Sequence, residues 1–209
     1  VSDATYRLQV RRDLGIGATG RLDHEPVGAE VQWDLSKAFD RVNWANLVQR
    51  AQDFGYPLEA LRLSKVSYTW SRRLLMDGVV GPKVFPSKEV AAGSPFAPFE
   101  LALGVLPASV RLRTSGLPVS LSIHVDDFML SATGTSDEQV IFNAQQGAAL
   151  VYDEITSVGF VVEKSKGFVL GSSMQLASRL GKVLGEYGGK VVQSVKRLGV
   201  DHWWTPKVI

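Results

Sequence analysis

Cysteine is absent from this 209-residue sequence. That excludes a disulfide scaffold and any thiolate metal site, and it suits a reducing compartment. Histidine is scarce, and His24, His124 and His202 show no ligand spacing, so a zinc centre finds no ligand set here. A strong excess of one charge is also missing. With 23 Lys and Arg against 21 Asp and Glu, the formal net charge is +2, and composition alone does not mark a nucleic-acid binder. The longest apolar run, residues 96–110, carries Pro98, Glu100 and Pro107 and is too short to span a bilayer. The first residues include Asp3 and Arg7 and no apolar stretch, so no secretory leader is expected. There is no Gly-x-Ser-x-Gly elbow, and Gly93-Ser94-Pro95 does not supply one. Gly15, Gly17 and Gly20 are followed by no Gly-Lys-Ser/Thr, so they form no P-loop. These absences together predict a soluble, intracellular protein of nucleus or cytoplasm, with no membrane partner.

What is present suits a globular chain. Hydrophobic residues make up 45% and charged residues 21%, ordinary values for a protein with a packed core. The length fits one domain, or one domain with a small appendage. Charge is unevenly spread. Residues 159–209 hold eight Lys/Arg against three Asp/Glu, whereas residues 1–33 hold four against five. The C-terminal quarter is the better candidate for a phosphate-facing surface, and a solvated lysine-bearing face accounts for it equally well.

Periodicity predicts the elements. Val31, Trp33 and Leu35 alternate with Gln32, Asp34 and Ser36, the pattern of a half-buried strand over 29–35. Asn43 caps a helix whose apolar stripe is Trp44, Leu47, Val48, Ala51 and Phe54, stopped by Gly55. Pro57 suits the first turn of a second helix running to about Tyr68. Asp77-Gly78, flanked by apolar pairs, signals a hairpin. A helix over 99–110 and an alternating strand over 119–125 follow, with Asp126-Asp127 at its far end. Thr135 and Glu138 have capping-box spacing before a helix with Val140, Ala144, Ala148, Val151 and Ile155 inward. Beyond Gly159 the pattern reads as a strand over 160–170, a helix over 173–184, and short strands near Val191 and Leu198. The order is that of an α+β fold with a mainly antiparallel sheet.

Two carboxylate positions stand out, because each ends an apolar-alternating strand. Asp34 shares a face with Gln32, and Asp126 with Ser120, Ser122 and His124. On neighbouring strands such groups converge, and a cluster of hard anionic oxygens favours Mg²⁺ over softer metals. Taken singly, an Asp-Asp pair between strands is an ordinary turn, and Asp34 an ordinary surface residue.

In order along the chain, five segments resemble the motifs of the reverse-transcriptase palm. These are Asp34-Leu-Ser-Lys-Ala-Phe-Asp40, Gly93-Ser-Pro-Phe-Ala-Pro98, His124-Val-Asp-Asp127, Gly159-Phe-Val-Val-Glu-Lys-Ser-Lys166 and Arg197-Leu-Gly199. Their spelling is most similar to the non-LTR retrotransposon branch. The resemblance implies an RNA-directed DNA polymerase core that works by two-metal nucleotidyl transfer. Asp34 and Asp126 would bind Mg²⁺ or Mn²⁺, with Asp127 assisting. Phe39 would lie under the sugar of the incoming deoxynucleoside triphosphate, and Gly93 and Ser94 would let backbone approach nucleotide and template. Lys166 would sit near the triphosphate, and Leu198-Gly199 would underlie the end of a primer–template. The implied division is an irregular segment over 1–30 holding partial fingers, a palm and fingers core over 31–201, and a tail over 202–209, with no thumb. Departures from the family's spelling are Ala92 for a glutamine, His124 for an aromatic, and Glu163 for an asparagine. Arg11, Arg12, Arg21, Arg72 and Arg73 are the cations available to replace a fingers clamp. A palm-like nucleotide cyclase would want glycines before the acidic pair, which His124-Val125 does not supply. The alternative is a catalytically decayed, element-derived fragment that keeps the fold and binds nucleic acid. The oligomeric state cannot be read from the sequence.

Overall fold

A computed structural model describes residues 27–197 and 200–203. The expected irregular segment over 1–30 therefore lies outside the described residues up to position 26, with Arg11, Arg12 and Arg21. Leu198, Gly199 and residues 204–209 lie outside them too. The elements are β1 (Val27–Asp34), α1 (Trp44–Asp53), α2 (Leu58–Tyr68), β2 (Leu75–Met76), β3 (Val79–Val80), α3 (Ala97–Thr114), β4 (Val119–His124), β5 (Asp127–Gly134), α4 (Asp137–Ser157), β6 (Phe168–Gly171), α5 (Met174–Leu184), β7 (Lys190–Val191), β8 (Ser194–Arg197) and β9 (Val200–Trp203).

Five of the strands form one sheet in the order β4-β5-β1-β6-β7, antiparallel except for the parallel β6–β7 edge. The fold is thus the α+β palm that the motifs imply. β1 is the central strand. Antiparallel partners share a face, so Ala29, Val31 and Trp33 lie beside Ala132, Leu130 and Phe128 on one side. The helices cover that side, with Val140, Ala144, Ala148, Val151 and Ile155 of α4 and Leu176, Ala177, Leu180 and Leu184 of α5 all buried. Each large apolar side chain taken out of water here contributes about 2 kcal/mol. Gly147 lets α4 come close, because a Cβ there would sit 3.2 Å from side-chain atoms of Leu130 and Val119.

The opposite face carries a polar set from adjacent strands. Ser120, Ser131 and Glu30 form one row, Ser122, Met129 and Gln32 the next, and His124, Asp127 and Asp34 the last. Alternation predicts that this side of β1 is wet, yet Glu30 and Gln32 are buried. Strands hydrogen-bonded on both edges of β1, with Phe168 and Leu170 of β6 beside Gln32 and Glu30, remove it from solvent.

Local signals set most boundaries. Asn43 Oδ1 accepts from the Ala45 and Asn46 amides at 2.9 and 3.2 Å, and Gly55 ends the helix region at φ +68°. Pro57 is the N-cap of α2 rather than a residue of its first turn. Asp77 and Gly78 both have positive φ, as the tight β2–β3 turn requires. That hairpin leaves Leu74, Leu75, Met76, Val79 and Val80 exposed.

Three boundaries differ from the pattern. α3 is longer than its apolar run and carries Pro107 inside. The cap of α4 is Ser136, whose Oγ accepts from the Gln139 amide at 3.3 Å. Thr135 instead donates to Gln139 Oε1, so the reciprocal box is offset by one residue. The run 160–170 is not one strand. Val162 makes a single bridge to Leu35, and Lys164–Lys166 turn as a 3₁₀ segment before β6 starts. Glu163 caps that turn, its Oε1 accepting from the Ser165 hydroxyl at 2.7 Å and from the Ser165 amide at 3.4 Å.

Candidate active site

Asp34 is the last residue of β1, fixed from both sides. Its Cα partner across the ladder is Asp127, the first residue of β5. On the other side its carbonyl accepts from the Glu163 amide at 2.8 Å. Asp126 lies one residue further round, in the two-residue turn joining β4 to β5, and its carbonyl accepts from the Leu35 amide at 3.1 Å. β5 therefore stands between β4 and β1. The expectation that Asp126 ends a strand beside β1 is not met: Asp127 is in the ladder and Asp126 in the turn. β1 pairs with the return strand of the hairpin and not with its first strand, which puts the second aspartate next to Asp34.

The turn is strained at one point. Val125 has φ +60°, a conformation that a β-branched residue adopts at a penalty of about 1–2 kcal/mol. Strain of this kind persists where surrounding structure dictates it, often at functional sites. Here the His124–Asp127 and Asp34–Asp127 pairings dictate it.

Lys166 reaches the same place. Its Nζ lies 2.6 Å from Asp34 Oδ2, which is shielded from solvent and, among the described residues, has no hydrogen bond besides that ion pair. Contact with Asp34, then the charge of Asp34, then those of Glu163 and Asp126, raise the Lys166 ammonium above its usual pKa, against partial desolvation. Glu163 moves the other way, lowered first by its hydrogen bonds to Ser165. The end of the sheet is thus a focus of negative charge that draws a cation of the chain itself.

Among the described residues, no group of three or more His, Cys, Asp or Glu side chains is arranged to hold a metal ion. The donor chemistry nevertheless fits a hard divalent ion. The oxygens are all carboxylate or carbonyl, Asp34 and Asp127 share one face, and the buried Asp34 Oδ2 is served only by an ammonium.

Phe39 opens a 3₁₀ turn (Phe39–Arg41) just after Asp34 and is half-buried against the core. Its carbonyl accepts from the Val90 amide at 3.0 Å, and the Val42 carbonyl accepts from Glu89 at 3.0 Å. Trp44 Nε1 donates to the Glu89 carbonyl at 2.6 Å. These bonds carry the 89–91 segment beside Phe39 and so deliver the Gly93-Ser94 turn to this end of the molecule. The Ser94 amide donates to Ala91 O at 2.7 Å, and its carbonyl accepts from Ala97 at the start of α3. Gly93 is exposed, has no positive φ, and a Cβ there would meet nothing within 4 Å. The fold itself does not require glycine at that position.

The structure thus brings Asp34, Asp126, Asp127 and Lys166 to one end of the sheet, with Phe39 tied by a backbone bond to the irregular segment leading into Gly93 and Ser94. Leu198 and Gly199 lie outside the described residues. Sequence reasoning missed Tyr68 and Glu100, which lie beneath Ser94. Glu100 interrupts an apolar run, and that was its only signal.

An antiparallel sheet backed by two helices, with paired aspartates at a hairpin end, is the architecture of a polymerase palm. Residues 29–201 match the family model described as reverse transcriptase (RNA-dependent DNA polymerase), and the chain belongs to that family. Among solved structures it is similar to apo telomerase from Candida tropicalis truncated from its C-terminal domain, with a TM-score of 0.54 and 12% identity. The match covers 96% of this chain and 37% of that one, so the chain spans little more than a third of its structural relative. A search of curated proteins gave no match. No helix among the described residues is long and apolar enough to cross a membrane.

Proposed function

We propose that this chain is the catalytic palm of an RNA-directed DNA polymerase of retrotransposon type, extending a primer on a nucleic-acid template with deoxynucleoside triphosphates. The observation that carries the reading is the Asp34–Asp127 pair at the open end of the central ladder, with Asp126 held beside it by the Leu35 amide. In the reaction the primer 3′-oxygen bonds to the α-phosphorus, the α–β bridging bond breaks, pyrophosphate leaves, and the hydroxyl proton passes to solvent or a nearby base. Asp34, Asp126 and Asp127 would hold Mg²⁺ or Mn²⁺, which supplies charge stabilisation to the attacking and leaving oxygens. Lys166, freed from Asp34, would face the triphosphate as a cation, and such charges carry much of the catalysis in phosphoryl-type transfer. Phe39 would support the sugar and disfavour a 2′-hydroxyl. Gly93, with open space where a Cβ would stand, would admit nucleotide or template against the backbone. Residues 198–199 would support the primer end, and the cations ahead of β1 would serve as partial fingers.

Primer extension on poly(rA)/oligo(dT) with Mg²⁺ or Mn²⁺ tests the reading. Extension that Asp126→Asn and Asp127→Asn each abolish supports it. A folded wild type that binds the primer–template but never extends it would establish the decayed-fragment alternative.

A further inference from the structure

Glu100 lies in the first turn of α3 and is fully buried, 0% exposed. Among the described residues no cation pairs with it. A buried carboxylate without a counter-charge is costly unless hydrogen bonds replace its water, and both of its oxygens are used. Ser64, on α2, bonds to Oε1 through a short contact. The Tyr68 hydroxyl donates to Oε2 at 2.6 Å. Tyr68, the last residue of α2, is itself 0% exposed, and its oxygen lies 3.1 Å from Ser94 Oγ.

Proton counting gives this chain a direction. A tyrosine hydroxyl has one proton, and the shorter bond, to a carboxylate, takes it. The Ser94–Tyr68 contact then requires Ser94 to donate. Ser94 Oγ in turn accepts from the Phe96 amide at 3.3 Å. The relay runs Phe96 N–H to Ser94, Ser94 O–H to Tyr68, and Tyr68 O–H to Glu100. Every proton points toward the buried carboxylate.

We infer that Glu100, acting through Tyr68, is a positioning residue that locks the Gly93–Phe96 turn and presents Ser94 Oγ to the site solely as a hydrogen-bond acceptor. The ligand group it suits is a donor, a sugar hydroxyl or a nucleobase N–H of the bound nucleotide or template. A phosphate oxygen, which needs a donor, does not fit it. The assignment of the ligand rests on the polymerase reading, whereas the locking of the turn does not. Removing one partner of a buried pair lowers global stability, so positioning is separated from folding by comparing exchange at the turn with exchange in the sheet.

The test uses Tyr68→Phe, which deletes one hydroxyl, and Glu100→Gln, which leaves a single acceptor. Amide hydrogen exchange is followed in the free protein, and KM for dTTP and kcat are measured on poly(rA)/oligo(dT). Both variants should speed exchange at Phe96 and Ala97 by about tenfold more than at the β1 and β5 amides, as expected for a local opening. KM for dTTP should rise severalfold while kcat stays within about twofold, the signature of lost ground-state positioning. Unchanged exchange at Phe96 and Ala97 in a stable Tyr68→Phe protein would overturn the inference. Faster exchange with unaltered KM would overturn its ligand part. A folded wild type that binds the primer–template without extending it favours the decayed-fragment alternative instead, and the exchange result still decides the locking of the turn. If Glu100→Gln fails to fold, Tyr68→Phe alone decides between these outcomes.

Discussion

At the scale of single residues, Lys166 and Asp34 define a competition. The ammonium 2.6 Å from Asp34 Oδ2 occupies electrostatic ground that a divalent ion would need. Metal binding to the folded chain has to displace it, so Lys166→Met should enlarge the rise in Tm produced by Mg²⁺ or Mn²⁺, because ligand linkage grows with affinity. Asp34→Asn should remove most of the rise. An equal metal-induced shift in wild type and Lys166→Met, read by differential scanning calorimetry, would show that the ion binds elsewhere. Gly93 makes a second residue-scale case. Since no atom lies within 4 Å of an added Cβ, Gly93→Ala should leave stability within about 0.5 kcal/mol while weakening nucleotide binding. A drop in Tm with unchanged KM would contradict this. Tyr68 supplies the third. Burial, then its bond to Glu100, pushes its pKa up from 10.0 to about 12. A group whose pKa is raised on folding stabilises fully below its unfolded value and loses that contribution through the folded one. Alkali should therefore remove about 2 kcal/mol between pH 10 and pH 12. Tyr68→Phe, tested by urea unfolding across that window, should show no such component.

Among the elements, the legible ones carried their signal in adjacent residues. Asn43 before an apolar stripe, Asp77-Gly78 between apolar pairs, and the 3.6-residue spacing of α4 each specify local geometry without help from afar. Elements decided by distant chain were misread. The polar face of β1 reads as exposed because nothing near Glu30 or Gln32 reveals that strands pair on both edges. Residues 160–167 read as strand because their apolar residues satisfy the pattern, whereas Glu163 and its bonds to Ser165 cap a turn there. The aspartates were legible as residues, but which of Asp126 and Asp127 faces Asp34 depends on hairpin pairing and was not. Glu100 had no readable partner, since Ser64 and Tyr68 are 36 and 32 positions away. Two predictions belong here. Gly189 packs on the 3₁₀ turn that carries Lys166, and a Cβ on it would stand 2.0 Å from the Gly167 carbonyl carbon. Gly189→Ala should therefore destabilise by about 2 kcal/mol or more, an overpacking effect on backbone that cannot yield. A neutral result in chemical denaturation would mean that β7 shifts freely. The β2–β3 hairpin exposes Leu75, Met76 and Val79 together, a pattern prone to association. Leu75→Lys with Val79→Thr should raise solubility, measured by light scattering, and leave Tm unchanged.

For the whole molecule, the decisive feature is that the central strand comes early in the chain and its neighbours late. β1 pairs with β5, about a hundred residues on, and with β6, further still: Val27 meets Gly134 and Ala29 meets Gly171. Almost every contact that shapes the site is therefore non-local, which slows folding. It also sets a schedule during synthesis. A ribosome makes Asp34 long before Asp127, and β1 emerges as an apolar strand with both edges unpaired, a state open to wrong partners. Pairing with β5 covers one edge. The other stays bare until Phe168–Gly171 has left the exit tunnel, and Lys166 arrives just ahead of that strand. A nascent chain halted near residue 150 would carry all three aspartates yet no closed sheet. Protease sensitivity of such arrested chains should persist until β6 is out and then fall abruptly. The site is completed only when β6 has emerged, although its first aspartate is made about a hundred residues before its partner strand.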